Sequence, residues 1–361
     1  MSHTVNFEPD WVSSPGATIL DLIEERHLSI REFASVTHST PTVVARLLNG
    51  IEPLTTDWAL QLAQTLGATP DFWLRRENQY RNGFSRLCDS QNESVSEWLS
   101  ELPVKDMERF GWIQKCPSTR EEFLAALTFF GVTSIESWRK RYSKTISASA
   151  YRTTTKFEIK PGAVATWIRQ GEILADEIDC NPWSPDLLFK NIPNIRTLTR
   201  TPDPALFLDE LREICASCGV AVVVAPLPDG CRASGATKFI TPNKALMLLS
   251  FRYMADDQFW FTVFHEIGHL LMHAKDGLFL EGLEGARSEA EDEANTFALN
   301  SLFSESGAHE LHTIPLNQFS IARFAKRIGI SPGLVVGQLQ EMKRIPFRHF
   351  NYLKARYSWT D

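Results

Sequence analysis

The segment His265-Glu266-Ile267-Gly268-His269 fits the pattern H-E-x-x-H, which combines two metal-binding side chains with a carboxylate. On a helix with about 3.6 residues per turn, side chains four positions apart point about 40° apart, so both imidazoles can reach one ion. Glu266 then lies beside the metal rather than on it, where it can take a proton from an attacking water. The spacing predicts a zinc site with His265 and His269 as ligands and Glu266 as general base.

An apolar helical stretch surrounds the pattern, with residues 259–264 before it and residues 270–272 after it. A buried core helix that carries two histidines without a metal is the alternative. A zinc site of this kind also needs a third protein ligand. His273 repeats the four-residue spacing, but it lies about 12 Å along the helix from His265, too far to share the ion. We interpret His273 as a packing residue or as a neighbour of a ligand.

The acidic segment 288–298 is the better source of the third ligand. On a helix, Glu291 borders an apolar stripe, whereas Glu293 lies about 200° further round and points more toward solvent. Asn295 follows Glu291 by one turn and could orient a ligand. The helical phase therefore predicts Glu291 as the third ligand, with Glu293 as the fallback and a solvated acidic helix as the alternative for both. The stripe comprises Ala290, Ala294, Phe297, Ala298 and Leu302.

The elements before the histidine helix predict how a substrate would reach it. From Leu208 onward we expect a helix, strands at 220–227, 233–240 and 245–250, and then the long helix. Pro242-Asn243-Lys244 favours a hairpin between the last two strands. A small antiparallel sheet in this place would offer an exposed edge strand to an extended peptide, next to the zinc. Candidates for stabilising the oxyanion are Arg252, Tyr253, His309 and His312.

At the other end of the chain, residues 16–82 predict five short helices with little between them. Ser29 caps the second helix, Thr40-Pro41 begins the third, and Asn49-Gly50 ends it. Two helices joined by a turn of about three or four residues form a helix-turn-helix. The sequence therefore predicts a helix-turn-helix domain here.

Residues 15–82 resemble the antitoxin branch (HigA type) of the Xre-like helix-turn-helix domains. The resemblance implies a DNA-binding domain whose third helix, Thr40 to Leu48, enters the major groove. The matching runs are Pro15-Gly16, Leu28-Ser29, Leu47-Leu48-Asn49-Gly50, Ala59-Leu60-Gln61-Leu62-Ala63, Leu66-Gly67 and Pro70-Asp71-Phe72-Trp73-Leu74.

The chain departs from that family where DNA would be touched. Ile30 stands at the usual place of a polar residue, and the third helix carries Val43 and Ala45 where small polar residues are usual. Residues 15–82 hold six arginines and eight acidic residues, a balance of 6 − 8 = −2, whereas DNA affinity depends largely on phosphate neutralisation. Specific DNA binding and a role as a protein-contact or vestigial module both stay open for this domain. The remaining candidate DNA contacts are Thr40, Thr42 and Arg46.

Residues from about 150 to 358 resemble the ImmA/IrrE family of metallopeptidases, in the branch fused to an Xre-like domain. The resemblance implies that His265, His269 and Glu291 bind zinc, that Glu266 is the general base, and that the substrate is a regulatory DNA-binding protein. One departure is the run 301–304, which has no proline where the family commonly has one. The matching runs are Ser234-Gly235-Ala236-Thr237, residues 259–262, residues 265–273, residues 291–298, residues 332–340 and Leu353-Lys354.

The C-terminal tail is basic and repeats part of the first domain. Residues 321–361 hold eight lysines or arginines and two acidic residues, so 8 − 2 = +6. Residues 320–325 and 331–335 align with residues 29–34 and 40–44 at a constant offset of 291 positions. We infer a second helix-turn-helix-shaped unit. Either a helical hairpin needs these residues for packing, or the tail supplies phosphate contacts that the first domain lacks.

Composition limits the class of protein. Hydrophobic residues make up 43% and charged residues 22%, as in globular domains, and the net charge of −7 argues against coating nucleic acid by charge alone. Without a long apolar run or a signal-peptide pattern, we expect a bacterial cytoplasmic protein with no membrane contact. Six cysteines are scattered; for the pair Cys215 and Cys218 we favour core packing over redox or metal use.

These features together predict an α+β fold that is predominantly α. We expect a helix-turn-helix domain at 1–84, a helical connector at 85–150, a metallopeptidase domain at 151–313 and a basic, helix-turn-helix-like tail packed on the peptidase at 314–361. The predicted function is a zinc-dependent regulatory endopeptidase that cleaves a repressor or a toxin-antitoxin component. The alternative is a non-proteolytic DNA-binding regulator or antitoxin with a structural metal. Expected partners are the protein substrate, operator DNA and a second copy bound through the first domain.

Overall fold

The computed structural model describes residues 13–89, 95–150, 159–273, 278–281 and 289–358. The chain forms two compact units. The first comprises Met1–Ala150, Lys160–Asp179 and Pro228–Gly230; the second comprises Tyr151–Ile159, Cys180–Leu227 and Cys231–Asp361. Helices dominate both units and a small sheet lies in the second, which confirms the predicted α+β fold. Among the described residues, no helix has the length and apolar character needed to cross a membrane.

Five helices open the first unit, as the sequence predicts. They are α1 (Pro15–Glu25), α2 (Ile30–Val36), α3 (Pro41–Leu48), α4 (Thr56–Leu66) and α5 (Pro70–Asp89). Each of the first four begins after a polar residue that accepts a hydrogen bond from a backbone N–H of the first turn; these caps are Ser14, Ser29, Thr40 and Thr55. The apolar faces meet in one core, which includes Ile19, Phe33, Val44, Leu62 and Trp73.

Four further helices form the predicted connector: α6 (Val95–Glu101), α7 (Val104–Arg109), α8 (Thr119–Phe130) and α9 (Ile135–Ala150). Aromatic rings hold them together. The ring of Trp98 meets Phe123 and Trp138 edge to face, with centroids 5.7 and 5.6 Å apart. Phe130 meets Trp138 in the same way at 5.7 Å. Such pairs stabilise a core beyond the area they bury.

The helix α10 (Pro161–Asp176) completes the first unit. The sequence analysis assigns these residues to the peptidase segment, yet the helix packs with α3, α6, α8 and α9. Nearly every residue of α10 is buried, and a helix of this kind needs neighbours on all sides. The buried Arg169 donates to the carbonyl of Phe129 at 2.8 Å and pairs with Glu172 at 3.2 Å. The finer domain boundaries stay a prediction.

The second unit begins with two helices and continues into the sheet. The helices are α11 (Pro185–Leu198) and α12 (Pro204–Ser217), and the strands are β1 (Val220–Val224), β2 (Gly235–Thr241), β3 (Lys244–Leu249) and β4 (Phe279–Glu281). The described strands form one mixed sheet in the order β1-β3-β2-β4. β2 and β3 form the predicted hairpin, with Gly235 opposite Leu249. β1 runs parallel to β3, with Val220 opposite Ala245, so the prediction of an antiparallel sheet is wrong for this pair.

The parallel pair arises because β3 lies between β1 and β2. The connection 225–234 carries the chain past the position of β3 before β2 begins. β3 is antiparallel to β2 and parallel to β1, so β1 and β2 run in opposite directions. β1 consists of valines and one alanine, and four of its five residues are buried. Such uninterrupted apolar runs are typical of parallel strands.

Two long helices follow, α13 (Asp256–Met272) with the H-E-x-x-H pattern and α14 (Glu289–Glu310) with the acidic segment. They approach closely at Gly268. A Cβ added there would lie 3.2 Å from the Cα of Ala294 and 3.1 Å from a ring carbon of Phe297. α14 is kinked at Ser304 (φ 57°, ψ 164°), in the run that lacks the family's proline. The close packing brings the acidic segment onto the histidine helix.

The tail forms α15 (Gln318–Ile328) and α16 (Pro332–Glu341), a helical hairpin as the sequence predicts. α16 packs against α13. Its buried residues are Gly333, Leu334, Val335, Val336, Leu339 and Gln340. The second helix of this helix-turn-helix-shaped unit therefore lies in the core of the peptidase unit, which favours the packing alternative over a role in phosphate contact.

Glycines in α16 make room for two carboxylates at the start of α13. A Cβ at Gly333 would lie 2.2 Å from Oδ1 of Asp256, and a Cβ at Gly337 would lie 2.5 Å from Oδ2 of Asp257. Asp257 also accepts a hydrogen bond from the ammonium of Lys354 at 2.6 Å. The tail thereby fixes the N-terminal end of the helix that carries the histidines.

The C-x-x-C pair lies in the core of the second unit. Cys215 and Cys218 are free thiols and both are fully buried. Burial raises the pKa of the Cys215 thiol far above its usual value, which suppresses thiolate chemistry. The core-packing interpretation is therefore confirmed for this pair.

Candidate metal centre

Two histidines of α13 and one glutamate of α14 converge on one point. Nε2 of His265 lies 2.9 Å from Nε2 of His269. The carboxylate of Glu291 lies 3.3 Å from the first nitrogen and 3.8 Å from the second. One possible ligand atom from each residue lies within 4.8 Å of the others. Two imidazole nitrogens and a carboxylate oxygen are the ligands of catalytic zinc sites that keep a position open, so these residues fit a zinc ion.

The pKa shifts of His269 and Glu291 also suit a cation. His265 and His269 are each only 1% exposed. Burial lowers the pKa of His269, so its ring is neutral and offers a lone pair. For Glu291, burial opposes ionisation, but hydrogen bonds and charge from His265 and His269 outweigh it and hold the pKa well below its usual range. The shifts therefore favour a lone pair on His269 and an ionised carboxylate on Glu291, the forms in which these groups bind a cation.

A second set of side chains contacts the imidazoles at Nδ1, the nitrogen that does not face the other candidate ligands. Nδ1 of His265 lies 3.0 Å from Oδ1 of Asn295. Nδ1 of His269 lies 3.2 Å from Nδ1 of His273, whose Nε2 lies 2.8 Å from the carboxylate of Glu293. The fallback ligand Glu293 therefore contacts His273 and not the point where the three candidate ligands meet.

Glu266 lies against the first residue of β2. Glu266 is fully buried. A Cβ added at Gly235 would lie 2.4 Å from Oε1 of Glu266 and 2.7 Å from Cγ2 of Thr262. A side chain at position 235 would therefore force Glu266 to move. Sequence reasoning noticed the run 234–237 only as part of a resemblance. It missed this function of Gly235 because the contact joins residues 31 positions apart, a separation that no local pattern reveals.

β4 lies along one edge of β2, next to the histidine helix. Gly235 to Thr237 pair antiparallel with Glu281 to Phe279. The ring of Phe279 stacks on His269 with centroids 4.2 Å apart and planes at 15°. A peptide strand beside the histidines must displace β4 or pair with its outer edge. The sequence does not reveal β4, because a strand of three residues has no periodicity to detect.

The four candidates for oxyanion stabilisation lie in two different places. Arg252 and Tyr253 line a small cavity together with Thr262, which precedes Glu266 by about one turn. The guanidinium of Arg252 donates to the carbonyl of Arg232 and lies over the ring of Tyr253 at 4.9 Å. His309 and His312 are exposed near the C-terminal end of α14, about five turns or more beyond Glu291. Of the four candidates, Arg252 and Tyr253 are the two that line a cavity with a residue one turn before Glu266.

The three candidate DNA contacts all make contacts within the first unit. Thr40 caps α3 and accepts a hydrogen bond from the backbone N–H of Val43 at 3.3 Å. The hydroxyl of Thr42 donates to the carboxylate of Glu177 at 2.8 Å. Arg46 donates to the carbonyl of Gly111 at 3.0 Å. The surface of α3 that would face DNA is thus in contact with α10's C-terminal end and with the connector.

Comparison with known proteins finds matches for two parts of the chain. Residues 221–339 match the Peptidase_M78 family, described as the IrrE N-terminal-like domain. The match runs from β1 to α16 and so includes both helices of the tail. The N-terminal part is similar to an HTH-type transcriptional regulator, YddM, of Escherichia coli (strain K12), with 35% identity over 66 residues, 18% of this chain and 70% of the relative.

A second regulator of the same strain, YbaQ, is 36% identical over 114 residues, 31% of this chain and 84% of the relative. YbaQ of Escherichia coli O6:H1 gives the same figures. The sheet, the histidine helix and the tail thus correspond to one known domain, and the N-terminal helices correspond to another. The chain is thus a fusion of an N-terminal helix-turn-helix domain with a domain of the IrrE/ImmA-like Peptidase_M78 family.

Proposed function

We propose that the protein is a zinc-dependent regulatory endopeptidase that cleaves a repressor or a toxin-antitoxin component. The observation that carries the proposal is the convergence of His265, His269 and Glu291 beside the buried Glu266. Membership of a peptidase family supports the reaction class. The helix-turn-helix domain supports a role in gene regulation rather than in bulk proteolysis.

Each residue has a separate task in the proposed hydrolysis. When bound, zinc supplies a Lewis acid that polarises a peptide carbonyl and acidifies water. Glu266 accepts the proton of the attacking water on its carboxylate and can then pass it to the leaving amine. Glu291 contributes the negative charge among the ligands, and His265 and His269 would each supply an imidazole nitrogen. Gly235 leaves the space that Glu266 occupies.

The substrate reaches the site as an extended strand. Backbone hydrogen bonds to a sheet edge bind peptides with little dependence on their sequence, and β2 with its partner β4 forms the edge beside the histidines. We propose a regulatory DNA-binding protein or a toxin as the substrate. Operator DNA and a second copy of the chain are proposed partners of the first domain, and the bacterial cytoplasm is the proposed location.

A comparison of protein termini in cells tests the proposal. Cells would express the native chain or Glu266→Gln, and new protein N-termini would be identified by mass spectrometry. We expect cleaved regulatory proteins only with the native chain, whereas both purified proteins should contain zinc. An identical set of termini in the two cell lines would contradict proteolysis.

A non-proteolytic regulator with a structural metal is the second candidate, and the relatives that are named transcriptional regulators favour it. The same substitution separates the two functions. If Glu266→Gln binds zinc and controls its target genes as the native chain does, then the metal is structural. Loss of control in Glu266→Gln supports the peptidase.

A further inference from the structure

We infer that His273 and Glu293 are positioning residues that hold His269 in the tautomer a metal ligand needs; the inference rests on the proposed zinc site. Nε2 of His269 is the nitrogen that faces His265, at 2.9 Å. Its other nitrogen, Nδ1, faces Nδ1 of His273 at 3.2 Å. Nε2 of His273 in turn faces the carboxylate of Glu293 at 2.8 Å. The three side chains form a continuous row that ends on a charge.

Proton accounting leaves one arrangement for this row. A metal on Nε2 of His269 takes the lone pair there, so the neutral ring carries its hydrogen on Nδ1. That N–H needs an acceptor, and Nδ1 of His273 accepts only if the hydrogen of His273 is on Nε2. The hydrogen on Nε2 then points at Glu293, which accepts it as a carboxylate. The reverse arrangement would put a hydrogen on the ligand nitrogen of His269.

A backbone hydrogen bond and burial hold His273 in its place in this row. It is the C-cap of α13, where its backbone N–H donates to the carbonyl of His269 at 2.8 Å. The residue is 8% exposed. Two residues of α14 therefore support the histidine ligands. Asn295 contacts His265 directly, and Glu293 acts on His269 through His273. Side chains that fix a ligand in this way are worth about 10- to 100-fold in metal affinity.

Zinc affinity measured by competition with a chromophoric chelator tests the inference. We expect His273→Ala to lower the affinity by about 10- to 100-fold. His273→Asn, whose amide oxygen can accept the Nδ1 hydrogen, should recover part of the loss. Glu293→Ala should produce a smaller loss in the same direction. Glu289→Ala is the matched control, because it removes an exposed carboxylate from the same helix, and it should leave the affinity unchanged.

Two results would overturn the inference, and they differ in what else they overturn. If His273→Ala and Glu293→Ala bind zinc as tightly as the native chain, His273 is only a packing residue and the zinc site stands. If the native chain itself binds no zinc, the proposed function fails and this inference fails with it. The visible spectrum of the cobalt-substituted chain gives a second readout, because a tilted or reversed His269 ring alters the ligand field.

In the first unit, the C-terminal end of α10 contacts α3. We propose that the acidic end of α10 holds α3 through contacts that compete with DNA; this rests on the proposed DNA-binding role of the first domain. Thr42 donates to Glu177 at 2.8 Å, and the side-chain amide of Asn49 donates to Asp176 at 3.1 Å. Arg169 donates to the amide oxygen of Asn49 at 2.6 Å. These contacts use polar groups on α3 that could otherwise meet DNA.

The chemistry of the contacts explains the competition. DNA offers phosphate oxygens and base acceptors to a recognition helix, and the carboxylates of Asp176 and Glu177 are anionic acceptors of the same kind. Thr42 has one hydroxyl hydrogen, so it cannot donate to Glu177 and to DNA at once. α10 is buried along most of its length, so its separation from α3 costs free energy that DNA binding must offset. The native chain should therefore bind DNA more weakly than a chain with α3 released.

Affinity for a labelled mixed-sequence duplex of about 30 base pairs, measured by fluorescence anisotropy at low salt, tests this proposal. The intact chain with Asp176→Ala and Glu177→Ala should bind about tenfold more tightly than the native chain, and adding Arg46→Ala should reverse the gain. Asp179→Ala removes one exposed acid nearby and measures the effect of losing one negative charge, whereas the double variant loses two.

The competition is overturned if the gain in binding free energy of the double variant is no more than twice that of Asp179→Ala. In that case DNA binding by the native chain still supports the first domain's proposed role. If neither protein binds the duplex, both the competition and the DNA-binding role are wrong.

Discussion

Glu266 and Glu291 lie close to the same two histidines, yet their surroundings give them different roles. Glu291 pairs with both imidazoles at 3.3 and 3.8 Å and has a strongly lowered pKa. Glu266 lies instead against the backbone of β2 at Gly235 and is completely buried. A carboxylate among the ligands binds the cation, whereas a carboxylate beside them is available for proton transfer.

Substitution by glutamine should separate these roles. Glu291→Gln removes the anionic ligand, so we expect zinc affinity to fall by about 100-fold or more. Glu266→Gln should retain zinc while peptide hydrolysis falls by at least about 100-fold. Zinc per chain after dialysis and cleavage of an identified substrate are the two measurements. Equal loss of zinc in both variants would show that Glu266 is a ligand.

At the scale of elements, the site depends on how closely three of them approach. β2 touches α13 at Gly235, and α13 touches α14 at Gly268. The tail fixes the start of α13 through Asp256 and Asp257, which lie against glycines of α16. These contacts explain why small residues recur in segments that carry no chemistry themselves.

Gly235→Ala tests the contact between β2 and α13. The new methyl group would lie 2.4 Å from Oε1 of Glu266, so Glu266 must move away from the attacking water. We expect hydrolysis to fall by about 100-fold while zinc binding changes little. Gly307→Ala is the control, since its Cβ would meet only ordinary contacts, 3.4 Å or more away. Full activity of Gly235→Ala would mean that the position of Glu266 is not critical.

Asp256 gives the junction of α13 and the tail a dependence on pH. Burial, with a contribution from Asp257, raises its pKa from 3.8 to about 6, although Ser331 donates a hydrogen bond that opposes the shift. The folded state thus binds the proton more tightly than the unfolded state. The group's contribution to stability is therefore complete below about pH 4 and is lost as the pH rises through about 6.

Urea unfolding of the metal-free chain between pH 4 and pH 7 measures this contribution. The free energy of unfolding should decline with rising pH by up to about 3 kcal/mol more in the native chain than in Asp256→Asn. Asp257, Lys354 and Tyr357 are the charged or titratable neighbours, and both proteins retain them. Parallel pH profiles for the two proteins would exclude Asp256 as the cause.

At the scale of the whole molecule, the chain forms two compact units that contain different functional elements. The first contains the helix-turn-helix helices, the connector and α10; the second contains the sheet, the histidine helix, α14 and the tail. The candidate metal ligands all lie in the second unit. A ligand that binds only the folded form of one unit stabilises that unit.

Zinc should therefore raise the unfolding temperature of the second unit selectively. At free zinc of about 100 times Kd, the expected gain is about 2.7 kcal/mol. Calorimetry with zinc and with a chelator measures it, as a shift of one unfolding transition relative to the other. Glu291→Ala should lose the effect. A gain of equal size in that variant would indicate that zinc binds elsewhere.

The sequence by itself determined the local features of this protein. Spacing of four residues placed His265 and His269 on one side of a helix, helical phase selected Glu291 over Glu293, and caps and turn residues predicted the five N-terminal helices. The β2–β3 hairpin followed from its turn. These features depend on residues within about one or two turns of each other, so periodicity and capping are enough to predict them.

Only the tertiary structure decided which distant residues meet. It placed β3 between β1 and β2, brought β4 to the β2 edge, set Gly235 against Glu266 and joined His273 to Glu293. The tertiary structure also shows that α10 belongs to the first unit, where it contacts α3. Such contacts depend on the packing of whole helices and strands, which a single chain's local pattern does not specify.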